Sequence, residues 1–423
     1  MSSTRFDYRT KYRQRAHDEA HADEATPVES DVPSGLAVAK SDAELVTTAP
    51  ALEQLLAHLR EAGTFAYDSE FIGESSYHPR LCLIQVATTE RVALIDPLAD
   101  IDLTPFWELL ADASVEKIVH AGAQDVEPVA RCCGKPAANV LDTQIGAGFV
   151  SMAYPTSLAK LINAFTGIVL HKGLTFTYWD QRPLSAKQLR YAADDVRYLP
   201  AAAMELKRRL GEVGHLPWVR AACDALCEPS QYVFSSTTAV DKVRGAGSLD
   251  AAKINVLKHL VVWRDACARS ENVPARVYLR DEVMIDLCKN APKRSDQFQR
   301  IKGLPRPVIE QEGATILSLI ERGMSEPTDG VELLRGREAT PGEKFGADVL
   351  WTATQAICHA QSIDPAVVTS RQQIGELHQA LTFGEPTDTM PILQGWRRQA
   401  VGDKLLAMWH GDDAVTVRLA KNK

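Results

Sequence analysis

The first clear periodic pattern in the chain is a stripe of leucines at positions 52, 55, 56 and 59, which predicts a helix over 51–59. Three apolar segments follow it, separated by short connections. Their content of aromatic, Thr and β-branched residues predicts strands at 64–71, 81–87 and 92–95. Because the turns between these strands are short, we expect them to form an antiparallel meander.

Helical and strand-like segments alternate after the meander. The predicted elements are a helix at 106–110, a strand at 118–120, a helix at 125–132, a strand at 140–142, and helices at 145–149 and 158–165. Three meandering strands followed by alternating helices and strands favour an α/β domain with a mixed sheet.

The second half of the chain has a purely helical pattern. Apolar residues recur at helical spacing over 249–323 and again over 341–419. The N-terminal residues are polar, mixed in charge and poor in aliphatic side chains, which is typical of disorder. We therefore predict five regions, which are a disordered tail at 1–40, the α/β domain at 41–228, a polar linker at 229–247, and helical domains at 248–327 and 341–420.

The composition agrees with a multi-domain chain. Its 423 residues exceed what one hydrophobic core usually serves. We find no apolar run long enough to span a bilayer, and the polar first residues contain no apolar signal-peptide segment. The eight cysteines are dispersed and make no zinc-site spacing, which suits a reducing compartment. We expect a cytoplasmic protein.

The net charge of −8 is unusual for a protein that binds nucleic acid, but it is unevenly distributed. Residues 248–323 carry 13 Lys and Arg against 10 Asp and Glu, a net charge of +3, which leaves −11 for the rest of the chain. The total charge therefore neither supports nor excludes RNA binding. It argues against a broad basic coating of the kind that binds duplexes.

Tyr191 and Asp195 are the most informative pair of polar residues. They are four positions apart in a predicted helix, so the phenol and the carboxylate lie one turn apart on the same face. Such a face can hold a metal ion and orient the water beside it. Asp194 is a neighbouring carboxylate, and the four-residue spacing selects Asp195 over it.

Two upstream segments supply further carboxylates. Asp68 and Glu70 alternate on the predicted strand 64–71 and therefore share a face. Asp125 falls in the first turn of a helix that begins near Gln124, after a short strand and a Gly-containing turn. Carboxylates from three elements, together with a Tyr hydroxyl, suit hard oxygen-liganded cations such as Mg²⁺ or Mn²⁺.

The cluster predicts a site for two divalent metal ions. Four crowded carboxylates repel one another, and two cations roughly 3.5–4 Å apart would remove that cost and stabilise both oxygens of a phosphoryl displacement. In this hypothesis Asp68 bridges the two ions, while Glu70 and Asp195 serve the ion that activates water. Asp125 completes the second ion's shell, and the Tyr191 hydroxyl orients the nucleophile.

Each of these pieces alone has an ordinary explanation. An Asp-x-Glu pair is usually a solvated strand face, and a Tyr-x-x-x-Asp pair is usually part of the surface. Asp125 alone is a favourable first-turn carboxylate at a helix N-terminus. The order and spacing of the whole set, with flanking apolar strands, are what favour a catalytic site.

The set resembles the Exo I, Exo II and Exo III motifs of the DEDD exonucleases in their tyrosine-bearing subgroup, and within it the ribonuclease D family. The resemblance extends from about Val46 to Pro200. The segments that carry it are Tyr67–Glu70, Arg80–Gln85, His120–Gly122 with Asp125, Leu141–Gln144, and Arg182–Leu184 with the Tyr191 helix. Asp194 departs from the pattern, because the family often has Ala there.

The resemblance implies a ribonuclease-H-like fold and a hydrolase that removes nucleotides one at a time from RNA 3′ ends. It also implies RNA with a free 3′-hydroxyl as the substrate, with tRNA precursors as the kind the family suggests. His120, which we place at the end of the strand 118–120, is interpreted as a structural or substrate-positioning residue.

Residues 249–323 resemble an HRDC domain, a helical module with a general role in nucleic-acid binding. We predict that its exposed basic residues contact RNA, namely Lys289, Lys293, Arg294, Arg300 and Lys302. A solvated basic face is the ordinary alternative. The segment 341–420 resembles the second, degenerate HRDC-like domain of the same family, which can be a scaffold.

Two other functions remain open at the level of sequence. A DNA-directed 3′→5′ exonuclease would carry the same motifs, since only contacts to a 2′-hydroxyl separate the sugars. A non-catalytic nucleic-acid adaptor could keep the fold. The complete set of carboxylates argues against the adaptor, because a retired site has no reason to keep like charges together.

Overall fold

A computed structural model describes residues 37–73, 76–170, 177–329 and 340–416. Its centre is one six-stranded sheet in the order β1-β4-β3-β2-β5-β6. The strands are β1 (Glu44–Val46), β2 (Thr64–Ile72), β3 (Arg80–Ala87), β4 (Val92–Ile95), β5 (Glu116–Val119) and β6 (Val140–Asp142). The predicted meander is confirmed, because β2–β3 and β3–β4 are antiparallel. The pairs β1–β4, β2–β5 and β5–β6 are parallel, so the sheet is mixed as expected.

Eight helices belong to the same half of the chain. They are α1 (Ala49–Ala62), α2 (Thr104–Leu110), α3 (Ala123–Cys133), α4 (Thr143–Ala147), α5 (Leu158–Thr166), α6 (Ala186–Arg197), α7 (Leu199–Val213) and α8 (Leu216–Leu226). The predicted leucine stripe of α1 is buried against one face of the sheet, together with side chains of α2 and α3. Helix α6 covers the opposite face, so the sheet lies between two helical layers.

Two predicted boundaries around the turn after β5 are wrong. The strand ends at Val119, and His120 lies outside it. Helix α4 begins at Thr143 instead of Ile145, because the Asp142 carboxylate accepts hydrogen bonds from the backbone N–H groups of Gln144 and Ile145 and caps the helix. The spacing of apolar residues does not reveal that Asp142, the last residue of β6, caps the helix.

The middle part of the chain forms a helical unit with its own buried core. Its helices are α9 (Ser236–Asp241), α10 (Ala251–Ser270), α11 (Ala275–Tyr278), α12 (Asp281–Asn290) and α13 (Arg306–Ser325). Arg264 and Asp281 form a buried ion pair at 2.7 Å within it. The stretch predicted as a linker contributes Val240 and Val243 to this core, so part of it is packed.

The last helical unit begins with α14 (Pro341–Ala360), which Thr340 and Glu343 start with a reciprocal capping box. It continues through α15 (Pro365–Val368), α16 (Arg371–Phe383), α17 (Gly395–Arg397), one π-helical turn (Arg398–Gly402) and α18 (Asp403–His410). Its apolar side chains share one buried cluster with helices α4 to α8. The rings of Phe149 and Trp396, for example, lie 5.0 Å apart.

The predicted disordered tail lies almost entirely outside the described residues. Its last part, from residue 37, is described, and there Val38 and Ala39 are buried against the main core. Within the described ranges, no helix has the length and apolar character that a membrane crossing requires.

Candidate active site

Three of the predicted carboxylates converge on one face of the sheet. Asp68 and Glu70 alternate on β2, and Asp195 projects from α6, which packs over that face. One carboxylate oxygen from each of the three lies within 4.8 Å of the others. The structure therefore brings together residues that are far apart in the sequence.

Helix α6 has a firm start, which fixes the direction of its side chains. Ser185 caps it, and Gln188 reaches back to complete a capping box. Ala192, Ala193 and Val196 are buried beneath the helix, so the four-residue spacing turns Tyr191 and Asp195 toward the cluster. The Tyr191 hydroxyl donates a hydrogen bond to the Asp195 carboxylate.

Arg182 anchors the segment that leads into α6. Its guanidinium pairs with both carboxylate oxygens of Asp96, at 2.6 and 2.7 Å, and donates to the carbonyl oxygens of Cys82 and Trp179 at 2.7 and 2.8 Å. The Trp179 ring lies 6.2 Å from the ring of Tyr191. Sequence reasoning included Arg182 only as part of a motif. Its contact with Asp96 joins positions too distant for any local pattern to reveal.

Asp125 approaches the cluster from the first turn of α3 but stands apart from the other three. It is 6% exposed, and its carboxylate accepts a hydrogen bond from the Ser69 hydroxyl. The turn before α3 needs glycine, since a Cβ on Gly122 would lie 2.4 Å from the Val119 side chain. The Asp142 carboxylate fixes that turn by accepting a hydrogen bond from the Gly122 N–H at 2.9 Å.

Burial raises the pKa values of the four carboxylic acids, and repulsion raises those of Glu70, Asp125 and Asp195 further. Burial raises the pKa of Asp68 to about 6. Burial, followed by the charges of Asp68 and Asp195, raises the pKa of Glu70 to about 8. The pKa of Asp195 is also about 8, from burial and then Asp68. Burial, with Asp68 second, raises the pKa of Asp125 well above its ordinary range.

This donor set fits a divalent cation. Its members are oxygen ligands, which hard cations such as Mg²⁺ and Mn²⁺ prefer. Among the described residues, no positive charge offsets the ionised forms of Glu70 and Asp195. A bound cation would remove the repulsion that raises these pKa values. Burial also raises the pKa of the Tyr191 hydroxyl, with Asp195 next, so the phenol stays protonated and remains a hydrogen-bond donor near neutral pH.

His120 has a structural position beside the site. Its Nδ1 lies 3.0 Å from the Thr143 hydroxyl oxygen, and its Nε2 lies 3.1 Å from the Thr156 carbonyl oxygen. Burial lowers the pKa of the imidazole, which favours the neutral ring. Both nitrogens are thus engaged with the fold, as the structural interpretation expected.

The five basic residues predicted to contact RNA surround the connection between α12 and α13. They are Lys289, Lys293, Arg294, Arg300 and Lys302, and all are exposed. The Arg294 guanidinium is already paired with the Asp296 carboxylate, at 3.0 and 2.8 Å. RNA contacts by these residues remain a prediction.

Comparison with known proteins identifies two regions of the chain. A family model described as a 3′-5′ exonuclease matches residues 43–211, and one described as an HRDC domain matches residues 253–320. Ribonuclease D of Gluconacetobacter diazotrophicus is 32% identical over 373 residues, which cover 88% of this chain and 93% of that protein. Ribonuclease D of Zymomonas mobilis is 30% identical over 382 residues, covering 89% and 96%.

Solved structures agree with this assignment. The crystal structure of Escherichia coli RNase D matches with a TM-score of 0.77 at 27% identity, over 88% of this chain and 99% of that one. The catalytic core of RRP6 from Trypanosoma brucei, at 21% identity and a TM-score of 0.52, covers 70% of this chain and 86% of that one and shares the fold. The predicted fold class and resemblance are confirmed. The chain belongs to the ribonuclease D family of 3′–5′ exoribonucleases.

Proposed function

We propose that this protein shortens RNA from a free 3′-hydroxyl end and releases nucleoside 5′-monophosphates, using two divalent metal ions held by Asp68, Glu70, Asp125 and Asp195. The observation that carries the proposal is the convergence of three carboxylates within 4.8 Å, with their pKa values raised by burial and repulsion. Perturbed acids on a shared face are typical of a catalytic site. Membership of the ribonuclease D family supports the direction of cleavage.

Each residue has a distinct task in this proposal. Asp68, which influences the pKa values of the other three carboxyls, would be the shared ligand, with Glu70 and Asp195 on one side of it and Asp125 on the other. The cations would supply positive charge to the reacting phosphate and lower the pKa of water. Tyr191 would position the attacking water, because its hydroxyl already points at Asp195.

We propose that the natural substrates are structured RNAs, including tRNA precursors, and that the enzyme acts in the cytoplasm. The E. coli relative is described as an exoribonuclease involved in structured RNA processing. The HRDC domain would raise the effective concentration of the 3′ end at the catalytic carboxylates by holding the body of the RNA. All eight cysteines lie within the described residues and are free thiols, which suits a reducing compartment.

One experiment tests the activity. The protein is incubated with 3′-hydroxyl RNA, 3′-phosphate RNA or matched DNA, with Mn²⁺, Mg²⁺ or a chelator, and released nucleotides are separated chromatographically. We expect metal-dependent release of mononucleotides from the 3′-hydroxyl RNA. Equal release from DNA would point to a DNA-directed exonuclease, and no release under any condition would point to an adaptor.

Three variants locate the activity at the proposed residues. Asp68→Asn and Asp195→Asn should each abolish release, because each removes a ligand charge from the cluster. Asp194→Asn is the matched control, since this adjacent carboxylate pairs with Arg197 at 3.7 Å and is outside the three-carboxylate cluster. Loss of activity in Asp194→Asn alone would show that the neighbouring acid, and not Asp195, holds the cation.

A further inference from the structure

A cavity of about 780 Å³ lies between the segment after α4 and the last helical unit. Its walls combine aromatic rings, amides and two guanidinium groups. Residues that line it include Tyr154, Trp351, Gln355, Asp364, Arg371 and Arg397. None of these residues belongs to the carboxylate cluster or to the predicted basic contacts of the HRDC domain.

Arg397 carries a positive charge in this cavity that no acid of the described residues neutralises. It is half-buried, and in the described part of the chain no carboxylate forms an ion pair with it. Its Nε donates to the Val368 carbonyl oxygen at 2.9 Å, and its guanidinium lies 4.4 Å from the Trp396 ring centre. Burial lowers the pKa of this guanidinium. A half-buried cation without a counter-charge is costly unless a ligand supplies one.

The other charged residues of the cavity have polar partners of their own. The Asp364 carboxylate accepts hydrogen bonds from the backbone N–H groups of Tyr154, at 3.2 Å, and Ala366, at 2.8 Å. Arg371 pairs with the Asp348 carboxylate. The uncompensated charge is therefore at Arg397, which points to an anionic ligand.

The planar guanidinium of Arg397 and the aromatic residues of the cavity indicate which class of anion would bind. A guanidinium forms paired hydrogen bonds with phosphate oxygens, and the faces of Tyr154 and Trp351 offer surfaces on which a nucleobase can stack. We infer that this cavity binds a backbone phosphate and an adjacent base of single-stranded RNA. The inference rests on the proposed function for its substrate class.

Tyr154 lines the cavity and is close in sequence to a residue that contacts the catalytic domain near the sheet. Two residues further on, the Thr156 carbonyl oxygen accepts a hydrogen bond from Gln144 at 2.8 Å and lies 3.1 Å from Nε2 of His120. His120 directly follows β5, which pairs in parallel with β2, the strand that carries Asp68. A short series of direct contacts therefore joins the cavity to the sheet that carries the catalytic carboxylates.

The test compares two adjacent arginines. Arg397→Gln removes the unpaired cation, whereas Arg398→Gln removes the same charge from an exposed residue that is already paired with Asp403 at 2.8 Å. Binding of fluorescein-labelled single-stranded RNA is measured by anisotropy over a range of salt concentrations, with chelator present so that no cleavage occurs. We expect Arg397→Gln to weaken binding roughly tenfold at low salt and to reduce the slope of log K against log salt by about 0.7.

The control variants decide between outcomes. Arg398→Gln should leave the slope unchanged, and Arg397→Lys should keep the slope while it loses part of the affinity, because Lys retains the charge but not the paired geometry. Thermal melting confirms that each variant is folded. If Arg397→Gln does not fold, Arg397→Lys still tests whether the paired geometry of the guanidinium contributes to RNA affinity. A merely structural Arg397 would change stability without changing the salt slope.

Free mononucleotide is a second source of the same phosphate chemistry. Titration with 5′-AMP and with inorganic phosphate distinguishes it from RNA. Equal salt slopes in Arg397→Gln and Arg398→Gln would overturn the inference, as would Arg397-dependent binding of 5′-AMP without any change in RNA binding. Either result would leave the proposed nuclease activity standing if metal-dependent release is observed, so the two proposals fail separately.

Discussion

Replacing Asp195 by Asn should stabilise the metal-free protein at alkaline pH. Burial, and after it the charge of Asp68, raises the pKa of Asp195 from 3.8 to about 8. Since the folded protein holds this proton more tightly than the unfolded chain, stability is greatest below the unfolded pKa and is lost as the pH rises toward 8. Asn has the same shape and no charge, and its side-chain oxygen can still accept the hydrogen bond from Tyr191.

The pKa difference sets an upper bound on the effect. Raising this pKa from 3.8 to about 8 corresponds to about 6 kcal/mol. Asp68 and Glu70 titrate in the same cluster, and side chains and water can relax around the charge, so we expect about 2–4 kcal/mol at pH 8. Near pH 4 the difference between the two proteins should be small, because the folded Asp195 is protonated and about 40% of the unfolded Asp195 is protonated as well.

Urea denaturation at pH 4, 6 and 8 with chelator measures this difference. Asp194→Asn is the control, because it leaves the three clustered carboxylates in place and removes only the smallest of the causes that raise the pKa of Asp195, so its gain should be smaller. Mn²⁺ should restore stability to the wild type at pH 8 and not to Asp195→Asn, since the variant lacks a ligand. The reasoning is refuted if wild type and Asp195→Asn have equal free energies of unfolding at pH 8, or if Asp194→Asn gains as much.

Three further substitutions have expected outcomes. Tyr191→Phe should lower turnover roughly 10- to 100-fold, because it removes the group that positions water. Its affinity for Mn²⁺, measured by calorimetry, should stay the same. A fall in Mn²⁺ affinity together with turnover would contradict this role. Gln85→Met should raise the free energy of unfolding in urea by about 1–3 kcal/mol. The Gln85 side chain is 0% exposed, and neither carboxamide atom has a hydrogen-bond partner among the described residues. An unchanged free energy of unfolding would argue that the amide is hydrogen-bonded. Arg264→Met should destabilise the protein by less than the roughly 3–5 kcal/mol of a fully unpaired buried charge, because Asp281 keeps an ion pair with the exposed Arg276 at 3.1 Å. An unchanged melting curve would count against it.

The sequence predicted those parts of the molecule that local spacing encodes. The meander follows from short connections between apolar runs, and the Tyr191 face follows from a four-residue period. Asp68 and Glu70 share a face because strands alternate. In each case the information lies in one segment or in segments that are neighbours along the chain, so a pattern can carry it.

Contacts between distant segments were beyond the reach of periodicity. The Ser69 hydroxyl bonds to Asp125, and Arg182 bonds to Asp96, but no local pattern selects either partner. The parallel pairing of β1 with β4 was equally hidden, because a three-residue strand carries too little pattern to choose a neighbour. Such pairings depend on how whole elements pack, and this is decided by the complete core.

The two helical units have similar sequence patterns, but they contact the catalytic domain through different kinds of interaction. The last unit continues the apolar core of helices α4 to α8, so its removal would expose buried apolar surface. The HRDC domain has a separate core, and it meets the loop between β2 and β3 through polar contacts of Tyr77, whose hydroxyl donates to Asp265 at 2.5 Å and accepts from Arg269 at 3.1 Å. Polar contacts at a surface contribute little stability and weaken with salt. The last unit is thus joined to the catalytic domain through a shared apolar core, whereas the described contacts of the HRDC domain with the β2–β3 loop are polar.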